Sequence, residues 1–206
     1  MPAAAPTPRR SLPTLIGLTL LAGSLFAMST ALPGSTAAHA AEPDDDGTVA
    51  SWPLRFSHHD FDVACFDTQR CKVRYHGFEF GNPEPTPSAA SLSPEAYDDA
   101  LSASYGPVPR NTPAAQVDWV SKDGSALQAQ VDIAAIFRDG LVRHHVARED
   151  IAEGASIGGT AVLLEVDDRS INVYTRTLIP LKAPLDPSNR DSDIRDELIK
   201  VYSQSY

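Results

Sequence analysis

The sequence predicts an α+β domain, an antiparallel sheet built from hairpins with two amphipathic helices packed on one face. Three observations carry that expectation. Apolar and polar residues alternate through Phe61–Tyr75, "AQVDWVSKDGSALQAQVDI" from Ala115 and "TAVLLEVDDRSINVYTRTLIPL" from Thr160, as half-buried strands require. Turn residues, Lys122-Asp123-Gly124 and Asp168-Arg169, interrupt two of these runs. Two other stretches, opening at Ser93 and Asp191, space their apolar residues at helical intervals. Hairpins combined with amphipathic helices point to a sheet covered by helices on one side.

Taken in order, the chain opens with a leader. Residues 1–40 contain Arg9 and Arg10 but no acid, run apolar through "LPTLIGLTLLAGSLFAM", and end on "AHA" at Ala38–Ala40. A charged start, an apolar middle and a small-x-small end make a secretory signal cleaved near Ala40. The apolar run is interrupted by Gly, Ser and Pro and is short for a membrane span. Arg9-Arg10 also partly matches a twin-arginine signal, so the route of export stays open. "LLAGS" has the form of a lipoprotein cleavage box, but Ser24 stands where the lipidated cysteine would be, so no stable membrane anchor is expected after cleavage. The expected location is the periplasm or the medium.

Residues 41–51, "AEPDDDGTVAS", read as a solvated lead-in, and 52–206 as one domain. Trp52, Leu54 and Phe56 alternate around Pro53 and Arg55, as in an edge strand. "FDVACFDTQRCKVRYHGFEF" from Phe61 contains both cysteines of the chain. A hairpin with Cys65 opposite Cys71 would pair Val63 with Val73 and Phe61 with Tyr75 on one face, and Asp62 with Arg74 on the other. After a proline-rich connector, Ser93-Pro94-Glu95 makes a helix start, with Tyr97, Leu101 and Tyr105 on one stripe. Next comes a hairpin pairing Trp119 with Leu127 and Val117 with Ala129, its loop closed by Gly124. Alternation at Val131, Ile133, Ala135 and Phe137 extends that strand to Gly140. The segment from Arg148 reads as a short helix and a glycine loop. A second hairpin pairs Val166 with Ile171 and Leu164 with Val173. Ile194, Leu198, Val201 and Tyr202 form the stripe of a final helix.

Charge narrows the functional classes. The chain has 17 basic and 27 acidic residues, and loss of the leader leaves 15 against 27 for a net charge of −12. Nucleic acid is excluded as a partner, because phosphate binding needs clustered Lys and Arg.

Candidate chemistry is sparse. In an exported protein Cys65 and Cys71 read as a disulfide, and closing so short a loop stabilises the fold by about 2 kcal/mol in the chain-entropy model. His59, His76 and His144 would make a metal site only if the fold brought them together. "GASIG" at Gly154–Gly158 matches a nucleophile elbow, but no strand precedes Ser156 and a strand rather than a helix follows. Asp98-Asp99 and Asp167-Asp168 are adjacent acids of the kind found in solvated turns and helix faces. The expectation is therefore a protein that is not an enzyme and needs no cofactor. A histidine-based metal- or small-ligand module is the alternative, and a hydrolase ranks behind it.

Four phrases carry a resemblance. "VDWVSKDG" from Val117, "DIAAIFRDGLVRHHV" from Asp132, "INVYTRTLIPLK" from Ile171 and "SDIRDELIKVYSQSY" from Ser192 together resemble small exported bacterial immunity proteins. That group neutralises antibacterial effectors delivered by type VI secretion, phospholipase effectors in particular. The resemblance implies a cognate effector as partner and occlusion of its active site as mechanism. Interfaces concentrate their energy in Tyr, Trp and Arg, which makes Tyr97, Tyr105, Trp119 and Arg143 the candidate anchors.

Overall fold

The computed structural model describes residues 52–206 except 155; the expected leader and lead-in lie outside them. Alternating, β-branched sequence dominates the described residues, and it forms strands. These are β1 (His58–Phe66), β2 (Thr68–Tyr75), β3 (Phe78–Asn82), β4 (Tyr105–Pro109), β5 (Ala115–Ser121), β6 (Ala126–Val131), β7 (Thr160–Asp167), β8 (Ser170–Thr177), β9 (Ile179–Pro180), β10 (Ile194–Arg195) and β11 (Ile199–Ser205). Among the described residues helix is confined to α1 (Pro94–Ala100), α2 (Ile133–Ile136) and two single 3₁₀ turns.

One sheet runs β11-β8-β7-β1-β4, a second runs β3-β2-β5-β6, and β9 and β10 make a separate ribbon. Within the first, β1 and β7 are parallel while β8 returns antiparallel to β7. The two large sheets face each other across the main core. Phe61 of β1 meets Tyr75 of β2 with ring centroids 4.5 Å apart and Phe80 of β3 at 5.1 Å, and Val162, Leu164, Val166, Ile171 and Val173 fill the same layer. On its outer face the larger sheet carries a smaller core of Ala64, Phe66, Leu101, Leu163 and Tyr174, roofed by Leu92 and Tyr97. This is why β7 is buried along nearly its whole length.

The fold is thus a mostly β sandwich, and the expected α+β sheet with two amphipathic helices is overturned. Only one helix among the described residues reaches seven residues. Ser93 does cap it, its Oγ accepting from the Ala96 amide at 3.2 Å, but the helix stops at Ala100 and Tyr105 begins β4. The expected C-terminal helix is instead β10 and β11. β11 pairs with β8 through a bulge between Lys200 and Tyr202, and a bulge's extra residue shifts the strand alternation, so adjacent Val201 and Tyr202 read as a helical stripe. Alternation misleads in the other direction at Val131–Phe137. There the Asp132 carboxylate accepts from the Ala135 amide at 2.9 Å and caps α2, and helical spacing buries both Ile133 and Phe137.

The two later hairpins form in the expected registers, Trp119 with Leu127 and Val166 with Ile171, and Gly124 takes φ +88° in its turn. The first hairpin does not form. Cys65 and Cys71 are disulfide-bonded, but β1 and β2 lie in different sheets. The chain turns the corner at Asp67, whose φ is +48°. Phe61 and Tyr75 therefore meet across the sandwich, Asp62 accepts from Ser104 Oγ at 3.1 Å, and Arg74 pairs with Asp118. The strand expected to open the domain is reduced to one bridge, Arg55 with Leu141. Among the described residues no helix is long and apolar enough to cross a membrane.

Candidate functional site

The strand β2 folds back through His76-Gly77 in a two-residue turn, with φ of +48° and +78° and Tyr75 opposite Phe78. Two successive left-handed residues match the right-handed twist of a hairpin. The turn lays β3 along one end of the smaller sheet, while β4 ends the larger sheet on the same side through its pairing with β1.

Tyr105 closes the space between them. Its ring stacks on Phe78 at 4.8 Å and meets Phe80 edge-on at 5.3 Å, and its hydroxyl donates to the His76 carbonyl at 3.2 Å. Phe80 continues inward to Phe61, so the cluster is rooted in the core. Phe78 is nonetheless 50% exposed, and His76 and Glu79 beside it are exposed too. Pro107 and Pro109 blunt β4 as an edge, whereas β3 contains no proline and, among the described residues, has no strand on its outer side. An open edge next to a rigid aromatic step is a surface suited to protein contact.

Of the four expected anchors, only Tyr105 belongs to this surface. Trp119 is 1% exposed and donates its Nε1 hydrogen to the Asp168 carbonyl at 2.7 Å, so it is a core residue. Arg143 is held by Asp139 through two bonds of 3.0 and 3.1 Å. Tyr97 donates to Glu165 Oε1 at 2.7 Å on the outer face of the larger sheet. The members of this aromatic cluster that sequence reasoning missed are Phe78 and Phe80. Their signal was available in "YHGFEF", where a left-handed Gly77 follows two residues after the end of β2's alternation.

The alternative histidine set is not assembled. His59 is buried, its Nε2 lying 3.3 Å from the Tyr75 hydroxyl, and burial lowers its pKa to about 4. His76 is at the aromatic edge, and His144 packs against Trp52 at 5.5 Å. Among the described residues no group of three or more His, Cys, Asp or Glu side chains could hold a metal ion. Ser156 is exposed and is followed by strand β7 at Thr160, without the helix an elbow needs.

Two of the concavities among the described residues bear on the chemistry. A cleft of about 530 Å³ lies between 145–150 and 181–195; His145, Lys182 and Arg195 line it, but each is paired with an acid, Glu197 or Glu153. A depression of about 430 Å³ on the outer face is floored by Glu165 and Asn172 and bounded by Tyr97 and Lys200. Compared with protein-family models, with curated proteins and with solved structures, the chain has no significant match in any of the three.

Proposed function

We propose that this chain is an exported protein-binding module that recognises an antibacterial effector and neutralises it by occluding the active site. The observation that carries the binding reading is the half-exposed Phe78 stacked on Tyr105 where the outermost strands of both sheets, β3 and β4, meet. Aromatic anchors set in a packed surround supply most of the energy of protein interfaces. Because Phe80 and Phe61 fix the cluster from below, little ordering entropy is lost when a partner covers it. The free edge of β3 adds main-chain donors and acceptors for an incoming strand. The effector as partner, and export to the periplasm as the place of action, come from the resemblance of the four phrases and from the leader. The net acidity of the chain favours a partner whose contact surface is basic.

The test uses the mature chain and the product of the neighbouring gene as the candidate effector, in a pull-down and in rescue of cells that express that product in the periplasm. Phe78→Ala and Tyr105→Ala each weaken binding by about tenfold or more, as loss of an anchor does, and together they abolish rescue. His145→Ala leaves both unchanged. Undiminished binding and rescue by the folded double variant overturn the assignment of the surface, and failure of the parent chain to bind the effector overturns the partner.

A further inference from the structure

The depression over Glu165 has a chemistry of its own. Glu165 is 2% exposed. Its carboxylate takes a hydrogen bond from the Tyr97 hydroxyl at 2.7 Å on Oε1, and from Asn172 Nδ2 at 2.5 Å and the Tyr174 hydroxyl at 3.3 Å on Oε2. All three donors are neutral, and among the described residues no ion pair includes Glu165. Buried carboxylates are ordinarily paired with a cation as well as hydrogen-bonded.

Asp167 stands two residues further along β7, hence on the same face of the sheet. Among the described residues it too enters no ion pair. Burial, and then the charge of Glu165, push its carboxyl above the usual carboxylate range. The chain's own cation already gathers at the rim, Lys200 Nζ lying 5.1 Å from the centroid of the Tyr174 ring.

Hydrogen-bond accounting then decides what can enter. A carboxylate accepts about four hydrogen bonds, so among the described residues Glu165 keeps one vacant position and Asp167 keeps its own. The hydroxyls of Tyr97 and Tyr174 are spent on Glu165. The depression therefore offers acceptors and negative charge, which rejects anions and serves a neutral polyol poorly. We infer that the pocket formed by Glu165, Asp167, Asn172, Tyr97 and Tyr174 receives a guanidinium group, whose planar fork of donors matches two neighbouring carboxylates. This site is separate from the aromatic edge and does not depend on it.

The experiment is an amide-resolved NMR titration of the mature chain with N-acetyl-arginine methylamide, its uncharged citrulline isostere, and methylguanidinium. Saturable shifts at 165–167, 172 and 174 are expected with both guanidinium probes and not with citrulline. Equal affinity of the two assigns the site to the free group, and tighter binding of the arginine probe assigns it to a side chain of a peptide or protein. Asp167→Asn weakens binding by about fivefold or more, and Lys200→Ala, which removes the competing cation, tightens it by about twofold. Asp167→Asn keeps the test valid where Glu165→Gln does not fold. Equal shifts with citrulline, shifts confined to other surfaces, no shift at millimolar probe, or indifference to Asp167→Asn each overturn the inference.

Discussion

His59 lies at the heart of the sandwich, its ring edge-on to Phe56 and stacked beside Tyr75. Among the described residues its Nδ1 has no hydrogen-bond partner. An imidazole so placed resists protonation, and burial brings its pKa from 6.5 down to about 4. Between those two values the unfolded chain binds the proton and the folded chain does not, so stability falls as pH drops through that window and levels off below it. From the shift, the loss between pH 7 and pH 4.5 is about 2–3 kcal/mol. Urea unfolding at both pH values checks this, and the difference shrinks by that amount in His59→Gln. A variant with the parent's acid sensitivity would place the titration elsewhere.

At the scale of elements, α1 shows how a short helix is held. Its seven residues are too few for a helix to persist alone. Three attachments keep it on the sheet: the Ser93 cap, the ion pair of Asp98 with Arg176, and the bond from Tyr97 to buried Glu165. Tyr97→Phe leaves a buried carboxylate oxygen without its donor, which costs about 1–3 kcal/mol. Denaturant unfolding reads the loss, and amide exchange in α1 rises with it; a change below about 0.5 kcal/mol would mean the bond is dispensable. The helix start was legible because Ser93 and Pro94 act locally. Its end was not, because Tyr105 keeps helical spacing with Tyr97 and Leu101 while its stacking on Phe78 draws it into β4. The same contrast holds elsewhere. Gly124 and Asp168-Arg169 specify their hairpins within a few residues, but β11 owes its strand to pairing with β8, which the local pattern of Val201 and Tyr202 does not record.

Across the whole molecule, the disulfide shows what sequence patterning can and cannot specify. Cys65 and Cys71 were legible as a bridge, and the contact of Phe61 with Tyr75 was foreseen, yet both were assigned to a hairpin. Alternation reports which side chains share a face, not whether two strands lie side by side or face to face. Passage between sheets at Asp67 turns the same contacts into the link between two layers. For the same reason the candidate site was only partly readable: Tyr105 stood out by residue type, whereas Phe78 and Phe80 join it only because β3 and β4 end two different sheets on one side. Glu165 gave no warning at all, since a glutamate between apolar neighbours looks the same whether it faces water or a roof of tyrosines. The central claim is that a partner protein covers the aromatic edge. Hydrogen–deuterium exchange of residues 41–206, free and mixed with the product of the neighbouring gene as the candidate effector, tests this directly. Protection is predicted at 76–82 and 105–109, with 145–150 and 181–195 unchanged. Protection at the second pair of segments instead, or at none, would contradict it.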